Sequence, residues 1–476
     1  MKVLILNPPN STGYVKEGRC EQKLSSWQYV MVPISLPYIA AVLRKGGFDV
    51  KIIDCAAEGI EMDALKQDIK AYKPSLIILD TTTPTFFEDA KTVSTLKSMD
   101  KSVFVAAIGV HVTVLAKESL NKSKLDAVVR GEPEETCLEL AKAIESGNKL
   151  KGVKGISYKA GKSIVTNPDR PLIENLDEMP FPARDLLKNE RYTMPIYNRP
   201  YTLLVPSRGC PFNCIYCTGR HYYGNKCRER SAKNIVDELE EIKNKYNVRD
   251  VTMWSDTFTF RKEFVMAVCN EILARNLKIN WMCNSRVNTI DLEMLKKMKQ
   301  AGCSIISFGV ESGVQEVLDN AKKGITLAQI ESAIKWTREA GIESIAHVIF
   351  GLPGETNDTV AKTIEFIKKI DPTYAQFYCA IPFHGTEFHK LATKNKWLTT
   401  DDWTLFEIDN AIIKTDTLSP EDLHNAKIKA FRAFYLRPTY IIRTVKRIKS
   451  PANLARTAIQ GIDFLKTWVV NPRKGK

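Results

Sequence analysis

Short apolar runs alternate with amphipathic stretches over the first third of the chain. Uninterrupted apolar runs are typical of buried strands, and apolar residues at helical spacing are typical of packed helices. The predicted strands are Val3–Leu6, Val50–Ile53, Leu76–Leu79, Val103–Ile108 and Ala127–Val129. The predicted helices are Leu36–Gly46, Glu61–Tyr72, Glu88–Met99 and Val114–Asn121. This alternation predicts a Rossmann-like, doubly wound parallel sheet that binds ligands at the carboxyl ends of its strands.

A second alternating series follows an interruption that contains a hairpin around Ala160-Gly161 and several prolines. Its predicted strands are Thr202–Val205, Val251–Trp254, Ile279–Asn284, Ile305–Val310, Ser344–Phe350 and Tyr374–Ala380. The helices between them are Ala232–Tyr246, Phe264–Arg275, Leu292–Ala301, Leu327–Ala340 and Thr359–Ile370. Six strand-helix units predict a partial TIM-like (β/α)6 barrel. We therefore expect an α/β chain with domains at 1–150 and 196–390, a hairpin and proline-containing linker at 151–195, and a helical tail at 391–476.

Composition is that of a globular protein, with 44% hydrophobic and 26% charged residues in 476. No apolar stretch is long enough to predict a transmembrane helix, and Pro8-Pro9 comes too early for a signal peptide. Eleven scattered cysteines favour a reducing compartment over a secreted disulfide framework. A cytoplasmic protein is expected.

Positive charge is concentrated in the tail. From His424 to Lys476 there are 13 Lys and Arg against the single acid Asp463, which accounts for +12 of the net charge of +14. Ile441, Ile442 and Val445 recur there at helical spacing among basic residues. This pattern is typical of a helix in peripheral contact with an anionic membrane, or of one packed on the barrel with its charged face in water. Nucleic-acid binding is not expected, because aromatic residues are sparse among the basic ones.

Three cysteines crowd together directly after the first strand of the second series. Cys210, Cys214 and Cys217 form a C-x3-C-x2-C motif. Three thiolates at this spacing can ligate three irons of a cubane cluster and leave the fourth iron open for a substrate. The alternatives are a zinc site with Cys227 as fourth ligand, and three unpaired buried cysteines.

With Tyr216 before the last cysteine, this motif resembles the signature of the radical S-adenosylmethionine superfamily, and the resemblance spans Tyr201–Phe388. Further motifs at successive strand ends resemble the S-adenosylmethionine contacts of that family, at Asp256, Asn284, Arg286, Glu311, Ser312, Gly351, Pro353 and Gly354. The resemblance implies that Asp256 binds the methionine amino group, although the glycines that usually precede this position are absent. An arginine such as Arg286 matches the methionine carboxylate bidentately. The ordinary alternatives are a loop carboxylate, a helix cap and turn glycines.

The resemblance also implies a reaction. A [4Fe-4S] cluster on Cys210, Cys214 and Cys217 passes one electron to S-adenosylmethionine, which yields methionine and a 5′-deoxyadenosyl radical. A one-electron reductant such as flavodoxin or ferredoxin is implied as a partner.

The segment 1–145 resembles the cobalamin-binding domain of cobalamin-dependent members of that superfamily, through Asn7-Pro8-Pro9, Pro37–Arg44, Gly109–Thr113 and Asp126–Thr136. The implied cobalamin contacts are Thr82, Thr83, Gly109, His111, Thr113, Gly131 and Glu132. The D-x-H-x-x-G motif that supplies a cobalt ligand is absent. His111 is therefore either a cobalt ligand or an imidazole that packs against the corrin or bonds within its loop. The alternative for the whole domain is a module that has lost its ligand.

The whole chain most resembles the branch that includes anaerobic magnesium-protoporphyrin ester cyclase and hopanoid-modifying proteins. The resemblance implies methylation of an unactivated carbon in a small, hydrophobic or lipid-like molecule. The alternatives are oxidative cyclisation or carbon-carbon bond formation without methyl transfer, and a non-catalytic iron-sulfur or corrinoid carrier. A methylthiotransferase with a second cluster on Cys20, Cys55 and Cys137 fits less well. In the tail, Trp397, Trp403 and Phe406 predict a cap over the barrel mouth, and His384 is either an acid-base residue or a loop histidine.

Overall fold

The structure is a computed structural model that describes residues 1–9, 30–194 and 199–447. Cys20 and the part of the predicted basic tail after residue 447 lie outside the described residues.

A seven-stranded sheet forms the N-terminal domain. Its strands are β1 (Lys2–Asn7), β2 (Asp49–Asp54), β3 (Leu76–Asp80), β4 (Phe104–Ile108), β5 (Ala127–Val129), β6 (Ile156–Ala160) and β7 (Ser163–Thr166). They lie in the order β2-β1-β3-β4-β5-β6-β7, with β1 to β5 parallel. The predicted doubly wound sheet is confirmed. The predicted hairpin forms β6 and β7, which add two antiparallel strands to this sheet rather than standing apart from it.

Helices cover both faces of this sheet. They are α1 (Ser35–Lys45), α2 (Cys55–Glu58), α3 (Met62–Tyr72), α4 (Phe86–Met99), α5 (Val110–Val114), α6 (Ala116–Asn121) and α7 (Glu134–Glu145). The predicted helix Val114–Asn121 corresponds to α6 and begins two residues later than predicted, because the backbone leaves the helical region at Leu115; the short α5 before it was not predicted. The β-branched run in α5, which has low helix propensity, agrees with this break. The short α5 keeps its residues close to the carboxyl edge of the sheet.

A second seven-stranded sheet forms the barrel domain. Its strands are β8 (Thr193–Met194), β9 (Arg199–Leu204), β12 (Asp250–Met253), β13 (Asn280–Ser285), β14 (Cys303–Glu311), β15 (Glu343–Phe350) and β16 (Tyr374–Cys379). A separate two-stranded ribbon consists of β10 (Ser207–Arg208) and β11 (Arg228–Glu229). The order is β16-β15-β14-β13-β12-β9-β8, and only β8 is antiparallel. The six predicted parallel strands therefore form an open, partial barrel, as expected.

The helices of the barrel domain and the tail complete the described fold. They are α8 (Gly219–Tyr223), α9 (Ala232–Tyr246), α10 (Lys262–Ala274), α11 (Leu292–Gln300), α12 (Gln315–Asn320), α13 (Leu327–Glu339), α14 (Asn357–Ile370), α15 (Glu387–Lys394), α16 (Pro420–Tyr435) and α17 (Pro438–Arg447). The α16 helix packs on β16 through Phe431 and Phe434, which contact the Phe377 ring. In the described part of the chain, no helix has the length and apolar character to cross a bilayer.

Buried ion pairs join the two domains at their carboxyl edges. Glu132 follows β5 and accepts hydrogen bonds from Arg208 (3.2 Å) and from both terminal nitrogens of Arg228 (2.9 Å). Glu134 accepts a second bond from Arg208 at 2.5 Å. All four side chains are buried. Because a buried charge without its partner is costly, these pairs fix the two domains relative to each other.

A second buried carboxylate, Glu238 of α9, ties the linker to the barrel. It accepts hydrogen bonds from Arg184 at 2.5 Å and from Arg230. Burial alone would raise the pKa of Glu238, but Arg230 and Arg184 outweigh it, so the pKa is lowered from the ordinary value of 4.5. The stabilisation from its ionised form is therefore present above 4.5 and is lost as the pH falls through the lower folded-state pKa.

We expect Glu238→Gln to lower the free energy of unfolding by about 3–5 kcal/mol, because it leaves two buried guanidinium groups without a counter-charge. Denaturant titration at neutral pH measures this loss, and the difference from wild type should shrink in acid. Glu241→Gln on the same helix removes only a surface pair and should cost about 0–1 kcal/mol. Equal losses for the two variants would contradict the assignment.

Candidate active site

The three cysteines of the sequence motif lie on the loop that follows β10. None of the three forms a disulfide, and all three are partly exposed. The Cys210 sulfur lies 3.7 Å from the Thr257 hydroxyl, and the Cys217 sulfur accepts the backbone N–H of Gly219 at 3.4 Å. The Cys214 sulfur is 3.6 Å from a terminal nitrogen of Arg286. Each sulfur thus has a polar or cationic neighbour.

The start of this loop requires glycine at position 209. Gly209 has φ +87°, and an added Cβ would lie 2.2 Å from the carbonyl oxygen of Lys226. Its backbone N–H donates to the Asp256 carboxylate at 2.8 Å. Asp256, predicted as an S-adenosylmethionine contact, therefore also holds the base of the cysteine loop. Ile215 donates its N–H to the Ala321 carbonyl and anchors the middle of the loop.

This loop fits a cluster with three protein ligands. Partly exposed thiols at the carboxyl edge of a parallel barrel can face one inorganic cluster and leave one side open. Cys227, the fourth ligand of the zinc alternative, has a pKa raised to about 11 by burial and by Glu229. Over the described ranges, no three His, Cys, Asp or Glu side chains come together tightly enough to hold a single metal ion.

Arg286 lies directly against the cysteine loop. Its guanidinium carbon is 3.6 Å from the centre of the Phe212 ring, and it also donates to the backbone carbonyl of Lys323. The side chain is buried, so its charge acts in a medium of low dielectric constant. Asn284, two residues earlier, accepts the N–H of Phe258 through its backbone carbonyl at 3.1 Å. Both residues predicted at the end of β13 lie at the same edge as the cysteines.

Lys323, a buried lysine that the sequence analysis did not single out, lies beside the carboxyl end of β14. Lys323 donates to Glu311 at 2.6 Å and lies 3.4 Å from the Tyr216 hydroxyl. Burial, and then Glu311, raises the pKa of Tyr216 well above its ordinary value. Glu311 has φ +63°, a backbone conformation that is costly for a residue with a side chain. The structure thus brings Tyr216 and Glu311, two predicted site residues, together around one ammonium group.

Ser312 does not join this group. Its side chain is buried, and its hydroxyl lies 3.1 Å from the Thr363 hydroxyl on α14. Thr363 also accepts the N–H of Gly313 at 3.0 Å. These bonds fix the loop after β14 to α14.

The glycine motif after β15 forms a tight loop around a buried carboxyl group. Gly351 and Gly354 both have positive φ, and the Pro353 carbonyl accepts a hydrogen bond from Asn320 at 3.2 Å. The Gly351 N–H donates to one oxygen of Glu355 at 2.5 Å, while the other oxygen is buried and has no partner. Burial raises the pKa of Glu355 to about 8. This carboxyl group is therefore neutral at pH 7.

The predicted cobalamin contacts gather at the carboxyl edge of the first sheet. Gly109 has φ +120°, and an added Cβ would lie 2.3 Å from the Thr81 carbonyl oxygen, so only glycine fits there. Thr113 accepts the N–H of Gly131 at 3.1 Å. The hydroxyl of Thr82 lies 3.0 Å from that of Thr85. These bonds shape the loops after β3, β4 and β5 into one continuous edge.

His111 is the most buried imidazole at this edge. Its Nδ1 lies 3.2 Å from the Thr83 hydroxyl, and its Nε2 is buried without a partner. Burial, and then His384, lowers the pKa of His111 to about 3. The ring packs on Phe86 and Trp403, with centroids 4.7 and 4.8 Å away. A neutral imidazole whose Nε2 has no partner fits a ligand that offers a hydrogen-bond donor or a metal.

The predicted cap reaches across to the first domain. Trp403 stacks on Phe87 at 5.3 Å, in addition to its contact with His111. His384 packs on Phe406 at 4.9 Å and is half-buried rather than solvent-facing. Burial, and then His389, lowers the pKa of His384 to about 4, so this ring is also neutral at pH 7. Trp403 and His384 thus border the candidate cobalamin site, which sequence spacing alone does not indicate.

Glu132, predicted as a cobalamin contact, is bonded to two arginines of the barrel domain. One of its oxygens accepts hydrogen bonds from Arg208 and Arg228, and the other accepts from Arg228 and from the N–H of Ile173 at 2.8 Å. The carboxylate belongs to the contact between the domains. Arg208 lies two residues before Cys210, so this contact also fixes the start of the cysteine loop.

The chain matches two protein families. The Radical SAM superfamily matches residues 204–367, and the B12 binding domain matches residues 24–141.

Two curated proteins resemble the chain over most of its length. An uncharacterised methyltransferase of Pyrococcus horikoshii is 35% identical, and the match covers 97% of this chain and 98% of that protein. The anaerobic magnesium-protoporphyrin IX monomethyl ester cyclase of Rubrivivax gelatinosus is 27% identical, with 93% and 78% covered.

A solved structure has the same fold. It is the radical S-adenosylmethionine methyltransferase TsrM from Kitasatospora setae, with cobalamin and a [4Fe-4S] cluster bound. The TM-score is 0.69 at 18% identity, and the match covers 89% of this chain and 80% of that one.

Gly209→Ala should prevent iron from binding stably to the cysteine loop, because the added methyl group meets backbone oxygens that cannot move aside. Gly161→Ala is the matched control, since Gly161 also has positive φ but no atom within 4 Å of an added Cβ. The control should lose only about 1–2 kcal/mol of stability and keep its iron. Iron and sulfide analysis after anaerobic reconstitution measures the difference. A Gly209→Ala protein that retains iron as Gly161→Ala does would contradict this geometry.

Glu355→Gln should change how stability depends on pH. The folded protein holds a proton on Glu355 between 4.5 and about 8, whereas the unfolded chain does not, so wild-type stability falls as the pH rises through this range. The glutamine variant has no titrating group at this position. Its free energy of unfolding relative to wild type should therefore increase with pH, by up to about 1.4 kcal/mol per pH unit. Urea unfolding across this range tests it, with the exposed Glu365→Gln as control. Parallel stability curves for wild type and Glu355→Gln would refute the assignment.

Proposed function

Since the chain belongs to the radical S-adenosylmethionine enzymes that carry a cobalamin-binding domain, we propose that it methylates an unactivated carbon of a hydrophobic, lipid-like small molecule. Its cofactors are a [4Fe-4S] cluster, S-adenosylmethionine and cobalamin. When bound, the cluster and S-adenosylmethionine supply a 5′-deoxyadenosyl radical, and cobalamin carries the methyl group. The residues of the chain bind, orient and shield these groups.

Cys210, Cys214 and Cys217 are proposed to hold the cluster. Arg286 supports this role, because its guanidinium is 3.6 Å from the Cys214 sulfur and lies over the Phe212 ring. A cation at this point would attract the negative charge of a bound cluster. Arg286 is also proposed to pair with the carboxylate of S-adenosylmethionine, because a guanidinium group matches a carboxylate bidentately.

The residues proposed to hold S-adenosylmethionine are Tyr216, Asp256, Asn284, Arg286, Glu311, Ser312, Gly351, Pro353 and Gly354. Of these, Glu311 has the strongest geometric support, because its strained backbone and its bond to Lys323 fix the carboxylate at the strand end. The Ser312 hydroxyl, which lies 3.1 Å from the Thr363 hydroxyl, also fixes the loop that carries Glu311. Gly351 and Gly354, which have positive φ, keep the loop after β15 close to the strand ends.

On the cobalamin side, the proposed contacts are Thr82, Thr83, Gly109, His111, Thr113 and Gly131. Gly109 supports the proposal, because its close approach to Thr81 brings the loops after β3 and β4 together at this edge. His111 offers a neutral nitrogen at this edge, either to a metal or to an amide donor. Glu132 is proposed to align the two domains rather than to touch the cofactor.

One observation carries the proposal of a single reaction site. Arg208 lies two residues before Cys210, and its guanidinium is bonded to Glu132 and Glu134 at the carboxyl edge of the first sheet. The candidate cluster site and the candidate cobalamin site are therefore joined by one buried residue. Methyl transfer to a substrate radical requires such proximity, because both groups must reach the same carbon.

Aromatic side chains support a hydrophobic substrate. Phe86, Phe87 and Trp403 pack together beside His111, and Phe406 follows next to His384. Such walls bind apolar surface and exclude water from a reactive radical.

A one-electron carrier such as flavodoxin or ferredoxin is proposed as the reductant. Asn213, in the middle of the cysteine motif, is exposed to solvent, which supports electron entry at the tip of this loop.

Cys214→Ala should lose both the cluster and the cleavage of S-adenosylmethionine, whereas Cys227→Ala should keep both. Iron and sulfide counts and the yield of 5′-deoxyadenosine with dithionite as reductant measure the two effects after anaerobic reconstitution. Equal loss in the two variants would make Cys227 a fourth cluster ligand and contradict the three-cysteine site, and a wild type that binds zinc in place of iron and sulfide would refute the proposed cluster.

Oxidative cyclisation without methyl transfer is the second candidate, favoured by the similarity to the magnesium-protoporphyrin ester cyclase. A test without substrate separates the two. Protein reconstituted with reduced cobalamin and given S-adenosylmethionine should release S-adenosylhomocysteine in an amount that matches the bound corrinoid. Protein without cobalamin is the control. Stoichiometric corrinoid with no S-adenosylhomocysteine would refute the methyltransferase and leave the cyclase.

A further inference from the structure

Exposed large apolar side chains are concentrated in one place on the described part of the chain. Five are exposed, and four of these lie between residues 436 and 445: Leu436 (42%), Ile441 (49%), Ile442 (55%) and Val445 (57%). The fifth, Leu273 (37%), is alone on α10. Single exposed apolar residues are common on proteins, but a cluster on one helix usually marks an interaction surface.

The helix α17 holds this cluster in a fixed orientation. Tyr440 packs on Phe434 and Tyr435 of α16, with ring centroids 5.4 and 4.9 Å apart. Arg443 pairs with Asp371, one turn further along the same face. Since each residue turns a helix by about 100°, these contacts direct Ile441, Ile442 and Val445 away from the body of the protein.

The surroundings of α17 are strongly positive. Asp371 is approached by Arg437 at 2.8 Å, by Arg443, and by Arg338 at 3.9 Å, so one carboxylate faces three guanidinium groups. No acidic residue occurs in Pro438–Arg447, and Lys446 is exposed next to the apolar cluster. This combination of aliphatic side chains and surplus positive charge is complementary to the headgroup region of an anionic bilayer.

We propose that α17 docks on an anionic lipid surface, with Ile441, Ile442 and Val445 among the acyl chains and Lys446 at the headgroups. The charge favours this occupant over a second copy of the chain, because two copies would bring the same positive surroundings face to face. The proposal does not depend on the reaction that the enzyme catalyses.

The position of α17 also indicates the role of the proposed membrane contact. Arg443 donates to the carbonyl of Pro372, which precedes β16, whereas the cysteine loop follows the carboxyl end of β9 in the same parallel sheet. The two features therefore lie at opposite edges of the barrel. The helix anchors the enzyme at the membrane and does not gate the candidate active site.

Vesicle sedimentation of the full-length holoenzyme tests the proposal. Vesicles of phosphatidylcholine and phosphatidylglycerol in equal parts should bind wild type, and vesicles of phosphatidylcholine alone should bind it weakly. The triple substitution Ile441→Ser, Ile442→Ser and Val445→Ser should weaken binding to the anionic vesicles by at least about tenfold. The substitution Lys446→Glu should also weaken binding to the anionic vesicles at low salt. Leu273→Ser, the matched control, should bind as wild type does.

Three results would overturn the proposal. The first is binding to anionic vesicles that the triple substitution leaves unchanged. The second is no vesicle binding by a wild type that light scattering finds dimeric, with the dimer lost in the triple variant, which would assign α17 to a second copy. The third is a monomer that does not bind vesicles. Equal iron content and thermal unfolding in all variants excludes misfolding as the cause.

Discussion

The carboxylate of Glu132 lies buried between the two domains, where Arg208 and Arg228 both donate to it. Removing one partner from such a group costs about 3–5 kcal/mol, because the remaining charge stays buried. The contact therefore restricts the position of one domain relative to the other as well as stabilising their association. Arg208 stands at the start of the cysteine loop and Glu132 at the end of β5, so the carboxyl edges of the two sheets meet at this point. Each domain presents its ligand-binding edge to the other, and the candidate site is formed by both.

The electrostatics of the two halves of the site differ, and the difference has a physical origin. On the barrel side, Arg286 and Lys323 are buried cations that hold the loop of the thiols and the Glu311 carboxylate. On the side of the first sheet, burial lowers the pKa values of His111 and His384 to about 3 and 4, so these groups are neutral. One half suits an anionic cluster and a zwitterionic ligand, and the other suits a large ligand bound by shape and hydrogen bonds.

The features that were predicted from the sequence are those that depend on a local pattern of residues. Parallel strands buried on both faces read as apolar runs, so the parallel strands of both sheets were found, with ends that differ by at most three residues. The cysteine motif was recognisable because its spacing is dense and specific. The short helix α5 was not predicted, because its end depends on the backbone at Leu115 rather than on the apolar spacing.

Contacts between distant segments were not predictable in this way. Lys323 meets Glu311 and Tyr216 only because three loops converge at the barrel edge. Glu132 was assigned to the cofactor because its motif resembles the family pattern, but its partners Arg208 and Arg228 are more than 70 residues away along the chain. Trp403 reaches His111 across nearly the whole barrel sequence. Pairings of this kind depend on the fold.

The central claim is that the two domains hold their cofactors in one fixed arrangement. Pulsed electron paramagnetic resonance on the reconstituted protein, with the cluster reduced and the cobalamin in the cob(II) state, measures the dipolar coupling between the two spins. We expect one narrow distance distribution in the wild type and a broad one in Glu132→Gln. A broad distribution in the wild type, or an unchanged narrow one in the variant, would contradict it.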